Sequence, residues 1–181
     1  VRNSRLSARG TVGAVANCVR QSSTGTVTVI GSTIHGENAS VANNVNPFAL
    51  LLSGTGTLNV MASDVLVTNI YNSTGGSGYL SRITGAGTMS IVGSRCRVNA
   101  TAMTSGSNCL GIDMAAAGTL TVVDSFIHIL ATLMTSSATC RGYYTAAASS
   151  IIRVSNSYHL LQTPAGTDVT MQGALVESAT A

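Results

Sequence analysis

The residues able to do chemistry recur at one interval. Ser32, Ser63, Ser94 and Ser125 stand 31 residues apart, and so do Thr26, Thr57, Thr88 and Thr119. A serine or threonine hydroxyl becomes a useful nucleophile only when a base and an orienting acid stand beside it. None of these has both in its own or a neighbouring repeat. The same 31-residue step carries Arg82 to Asp113 and Asp64 to Arg95, so two acids each face an arginine one repeat away. Hydrolysis of a glycosidic bond wants a second carboxylate about 5 to 9.5 Å from the first, and a calcium site wants several oxygens. No two carboxylates fall side by side here: Asp124 sits at a bend among small and polar residues, and Glu37 falls in a loop column with Thr68 and Asn99. The pairs Arg82–Asp113 and Asp64–Arg95 are therefore read as surface ion pairs between repeats, each worth under about 1 kcal/mol. A site shared between subunits would escape this one-chain test.

The remaining chemistry-bearing residues are scattered. His35 and His128 share an outward column with Leu66, Arg97 and Leu160 but lie three repeats apart, too far to share a metal, and His159 is one column off. All three read as surface imidazoles. Cys18, Cys96, Cys109 and Cys140 have no C-x-x-C spacing, so no zinc site is expected. Cys109 and Cys140 are 31 apart, close enough on stacked strands for a disulfide, although two reduced thiols are the preferred reading. The glycine-rich pieces at Gly54 and Gly75 lack the strand and helix frame of a phosphate loop and read as turns. Asn38, Asn72 and Asn99 each open an N-x-S/T sequence in what read as long loops, a pattern that matters only in a eukaryotic secretory route. No metal and no cofactor is expected.

The period identifies the element that positions these residues. G-T-V-T-V at Gly25, G-T-L-N-V at Gly56, G-T-M-S-I at Gly87 and G-T-L-T-V at Gly118 repeat without slippage. A period held over four copies means one structural unit stacked on itself. Within the unit from Gly87 to Ala117, alternation gives three short strands. Met89 and Ile91 point in on the first, Cys96 and Val98 on the second, and Leu110, Ile112 and Met114 on the third. Thr88, Ser90, Arg95, Arg97 and Asp113 point out. Nothing reads as a helix, which excludes a doubly wound sheet with its crossover helices. Equal residues at a fixed interval stack in a coil of parallel strands, whereas a meander would run its neighbours antiparallel. The expectation is one all-β solenoid domain over residues 1–181, of about six rungs. It has a shortened first rung (1–24), regular repeats (25–148) and irregular last rungs or a cap (149–181). Both ends break off within the pattern, as in a piece of a longer chain. The serines at the bend share the inward parity, which predicts an internal hydroxyl ladder, because buried polar groups need partners.

Composition narrows the function. Charged residues are 8% of the chain, against roughly 25% in an ordinary soluble domain. All nine basic residues are arginine, and mean hydropathy is +0.36. A net charge of +3 is too small to argue for nucleic acid, which needs a dense basic patch; Arg2, Arg5, Arg9 and Arg20 at one end read as solvated or paired. No apolar run approaches the 18 or so residues of a membrane span, so membrane insertion is not expected. So little charge, with Leu51, Leu66, Phe126, Tyr144, Tyr158 and Leu160 in outward columns, suggests that partner chains cover much of the outside.

The run G-I-x-M-x-x-x-G-T-L-T-V-x-x-S-x-I from Gly111 to Ile127 resembles the right-handed parallel β-helix repeat of the pectin-lyase-like superfamily. The resemblance covers roughly residues 1–160. That group includes polysaccharide lyases and hydrolases, autotransporter passengers, adhesins, and viral tailspikes and fibres. It implies the coil and its handedness, and no site, since the matching residues are those that build the fold. The expected role is a non-catalytic structural or adhesive module of a virion fibre, tailspike or surface adhesin. It would be a homotrimer on a virion or cell surface, attaching to a host cell-surface glycan or receptor. The alternative is a polysaccharide depolymerase with an intersubunit site. A minor one is ice binding by the outward array Thr26, Thr57, Thr88 and Thr119.

Overall fold

The computed structural model describes residues 1–10, 17–38, 48–72, 77–103, 108–132, 139–145, 147–162 and 170–176. Among these the chain forms strands only. In order they are β1 (Arg5–Gly10), β2 (Asn17–Gln21), β3 (Thr26–Ile30), β4 (Thr33–Asn38), β5 (Phe48–Leu52), β6 (Thr57–Met61), β7 (Asp64–Asn72), β8 (Ser77–Ile83) and β9 (Thr88–Val92). Then follow β10 (Arg95–Met103), β11 (Asn108–Met114), β12 (Thr119–Val123), β13 (Phe126–Ala131), β14 (Thr139–Thr145), β15 (Ile151–Ser155), β16 (Tyr158–Gln162) and β17 (Thr170–Val176). Every third strand pairs in parallel. The first sheet is β3-β6-β9-β12-β15, the second β1-β4-β7-β10-β13-β16 and the third β2-β5-β8-β11-β14-β17. This is an all-β parallel solenoid with three strands per rung on a repeat of about 31 residues.

The rung count is corrected. About four to five turns are present rather than six. The first sheet has five strands, and β1 and β2 precede its first member, so the leading turn lacks a side.

The core follows from stacking like on like. Thr57↔Thr88↔Thr119 and Val60↔Ile91↔Val122 are register partners. Val29, Val60, Ile91 and Val122 are fully buried in one interior column, as are Ile34, Val65 and Cys96 in the next. Burying each aliphatic side chain contributes about 1.5–3 kcal/mol. The glycines before β6, β9 and β12 are there for close approach. A β-carbon on Gly56 would strike the carbonyl oxygen of Gly25, and one on Gly87 that of Gly56.

The third strand departs from simple alternation. Ala49 and Leu50 both join the core, as do Leu80 and, fully buried beside it, Ser81; a β-carbon on Gly111 would meet Ile129, and the next residue Ile112 is also in the core. Two consecutive residues thus face in, and the register skips the residue between Leu110↔Tyr79 and Ile112↔Ser81. Leu110, expected inside, is corrected to the outer side. There it forms a second apolar cluster with Phe48 and Tyr79, whose rings stack at 5.2 Å. Counting by twos back from Met114 cannot see such an irregularity.

The second strand is also longer than read. β10 continues to Met103, with register shifts after Val98. Asn99 therefore lies in a strand, and Asn38 and Asn72 end β4 and β7, which corrects their assignment to loops. Glu37 and Thr68 are likewise register partners in strands, and Glu37 faces Arg9, with Nε–Oε2 3.7 Å apart.

Candidate functional site

The serines are placed by a bend that each rung makes after its first strand. One residue per bend has positive φ: Gly31 (58°), Ala62 (48°), Gly93 (57°), Asp124 (50°) and Asn156 (46°). The following serine turns inward, and Ser32, Ser63, Ser94 and Ser125 are buried at 3–4% exposure. The N–H of Ser32 donates to Ser63 Oγ, that of Ser63 to Ser94 Oγ and that of Ser94 to Ser125 Oγ, each at 3.2 Å; Ser125 N–H donates to Ser157 Oγ at 3.1 Å. Each hydroxyl donates in turn to the carbonyl two residues back, Ile30 at 2.9 Å, Met61 at 2.7 Å, Val92 at 3.0 Å and Val123 at 2.7 Å. The oxygen of each hydroxyl thus joins two rungs, while its proton closes the bend of its own rung.

Arg82 and Asp113 form an ion pair, Nε–Oδ2 2.8 Å. The side chains are 34% and 5% exposed, so the expected surface pair is corrected to a half-buried one. Its surroundings explain this. Leu51 beside it in the column is 9% exposed, Phe48, Tyr79 and Leu110 line the same side, and the Arg82 guanidinium lies 5.1 Å from the Tyr79 ring centre. Burial pushes the Asp113 carboxyl above its ordinary value, against the lowering effect of Arg82. Asp64 and Arg95 are register partners, yet no ion pair joins them. They line a shallow notch of about 190 Å³ with Ala62, Ser63 and Gly93.

The histidines differ from one another. His35 Nε2 lies 2.8 Å from Thr68 Oγ1, and His128 Nε2 lies 2.6 Å from Gln162 Oε1, both on the outer side of the second sheet. Beside His128, Phe126 and Tyr158 stack at 5.5 Å with planes 5° apart. His159 is corrected from a surface imidazole to a half-buried, inward-facing one. It stands in register above buried Ile127, its ring meets Tyr143 edge-on at 4.9 Å, and its Nε2 is 3.1 Å from the Tyr143 hydroxyl. Burial lowers its pKa from the ordinary 6.5. Cys109 and Cys140 are register partners, and Cys140 is buried; Cys96 is a buried free thiol and Cys18 a half-buried one. The side chain of Cys109 lies outside the described residues. Burial raises the Cys96 thiol to about 12, which keeps it protonated and inert.

The outer face of the first sheet is of another kind. Thr26, Thr57, Thr88 and Thr119 form one column in continuous register. Thr28, Asn59, Ser90 and Thr121 form the second, and Ile30, Met61, Val92 and Val123 the third. All are exposed or partly so, Met61 at 38%. The apolar third column was missed in the sequence. Its signal was the fifth residue of each first strand, which shares the outward parity of the threonine.

Among the described residues, no group of three or more His, Cys, Asp or Glu side chains could hold a metal, and no helix is long and apolar enough to cross a membrane. No family model, curated protein or solved structure matches the chain. What it shares with the pectin-lyase-like class is the parallel solenoid.

Proposed function

We propose that this chain is a non-catalytic structural and adhesive module of a fibre, tailspike or surface adhesin. It assembles as a homotrimer, is displayed on a virion or cell surface, and attaches to a glycan or receptor. One observation carries the reading. The side chains best suited to chemistry are occupied in joining one rung to the next: the serine hydroxyls to the adjacent backbone, Asp113 to Arg82 and Glu37 to Arg9. A stack bonded rung to rung through its interior is a stiff rod, and such solenoids present extended outer surfaces for binding. The choice of a virion fibre over a cellular adhesin rests on the resemblance of the repeat. Incubation of the purified protein with a panel of acidic and neutral polysaccharides, read for new reducing ends and unsaturated products, tests it. Binding to a glycan or a cell surface without turnover supports the module; turnover of any polymer transfers the chain to the depolymerase reading.

A further inference from the structure

We propose that the outer face of β10, β13 and β16 binds a saccharide that carries carboxylate or sulfate groups. This rests on the reading of the chain as an attachment module and adds the surface used and the charge of its ligand. Register stacks Arg95, Phe126 and Tyr158 in one outward column and Arg97, His128 and Leu160 in the next. The two columns stand about 6.6 Å apart along the strands, and the rungs follow at about 4.8 Å. The Phe126 ring stacks on Tyr158 and lies 5.9 Å from the His128 ring, centre to centre. Tyr158 is 62% exposed, and Arg95 is exposed with it. Two cations, two aromatic rings, an imidazole and a leucine thus share one small patch of the rod.

Charge points to an anion. Arg9 faces Glu37, Arg82 is paired with Asp113, and the Arg141 guanidinium lies 4.9 Å from the Tyr144 ring centre. Arg95 and Arg97, by contrast, make no ion pair among the described residues. Asp64 stands in register below Arg95 without reaching it, and Asp124, at the bend before β13, takes a hydrogen bond from Asn156. No outward position on β10, β13 or β16 is acidic. Two guanidinium groups about 6.6 Å apart repel one another, and a carboxylate or sulfate that takes forked hydrogen bonds from them removes that repulsion. The rest of the patch suits a sugar. Its ring edges and Leu160 can cover the C–H face of a pyranose. Gln162, held by His128 through its amide oxygen at 2.6 Å, keeps its N–H groups for sugar hydroxyls. A single-stranded nucleic acid also joins charge to rings, but it wants a free ring face for each base and a cationic groove along its backbone. Here Phe126 and Tyr158 already cover one another, with planes 5° apart, and two arginines make no groove.

Isothermal titration calorimetry of the intact chain tests the face, with circular dichroism for the fold. The ligands are heparin and hyaluronan oligosaccharides, neutral dextran oligosaccharides and a single-stranded oligothymidylate. The parent should bind heparin or hyaluronan and ignore dextran. The double variant Arg95→Gln/Arg97→Gln should bind at least about tenfold more weakly, and Tyr158→Ala should weaken binding as well. Arg153→Gln removes a like charge from β15 of the first sheet and should bind as the parent does. If the double variant does not fold, the exposed Tyr158→Ala decides. Anionic saccharides bound equally by the parent, the double variant and Tyr158→Ala, or weakened as much by Arg153→Gln, overturn this face and leave glycan attachment standing. Binding of dextran alone overturns the anionic ligand and again leaves attachment. Binding of no saccharide overturns the site and glycan attachment together. Tighter binding of the oligothymidylate, lost in the same variants, gives the face to nucleic acid and overturns the proposal.

Discussion

Replacing Ser94 with alanine tests the internal ladder at its centre. Ser94 Oγ accepts the N–H of Ser63 at 3.2 Å and donates to the Val92 carbonyl at 3.0 Å, with the residue 3% exposed. The Val92 carbonyl keeps the N–H of Ala62 at 2.9 Å, so its loss is small. The Ser63 N–H is left buried and unpaired, which costs about 1–3 kcal/mol. For a chain of this size, about 2–4 °C of melting temperature goes with each kcal/mol, so the transition should fall by roughly 2–12 °C. Ser90→Ala, on the preceding strand but facing out, is the control and should stay within about 0.5 kcal/mol of the parent. Circular dichroism followed through a thermal scan gives the shift, and through urea unfolding the free-energy difference, for both variants. Equal stability of the two variants would refute the ladder as a source of stability.

Three further outcomes are expected. Ile91→Asp places a carboxylate in a fully buried column between Val60 and Val122. It should unfold the middle rungs, seen as loss of amide-exchange protection over β6, β9 and β12; parent-like protection would contradict the inward assignment. Arg82→Ala removes the cation beside the buried Asp113 carboxylate, so urea unfolding at pH 7 should show a loss of about 1–3 kcal/mol. Adding Asp113→Asn should recover part of it, and no difference between the two variants would show that charge is not the cause. His159 has a folded pKa below 6.5, so the unfolded chain binds its proton more tightly. Its contribution to stability is complete above pH 6.5, declines as pH falls below that, and levels off under the folded pKa. Stability measured at pH 7 and pH 5 should therefore drop more in the parent than in His159→Gln, and an equal drop in both would contradict the interior placement.

The coil was legible because it repeats. The 31-residue step alone puts Val60, Ile91 and Val122 in one column and Ser63 under Ser94, whatever the loops do. Alternation then gives the faces of the first two strands, where β-pleating is regular. It fails on the third strand, because the inward pair at Gly111 and Ile112 changes parity in mid-strand and sends Leu110 outside. His159 was read as a surface imidazole although the column of His128 and Leu160 beside it already puts it in register with inward Ile127; a polar residue type was allowed to override the parity. The depth of Asp113 depends on large neighbours from other rungs, Tyr79 and Leu110, and column arithmetic carries no information on how far they cover it. The apolar column of the first sheet was written in the fifth residue of each first strand, but single exposed apolar residues are common on surfaces. Only the four together in register make Ile30, Met61, Val92 and Val123 a continuous edge.

The mass of the parent chain in solution tests the structural reading most directly. Sedimentation equilibrium at tens of micromolar should give three times 18.3 kDa, about 55 kDa. A single species at 18.3 kDa across that range would contradict the trimer, and with it the fibre built from it.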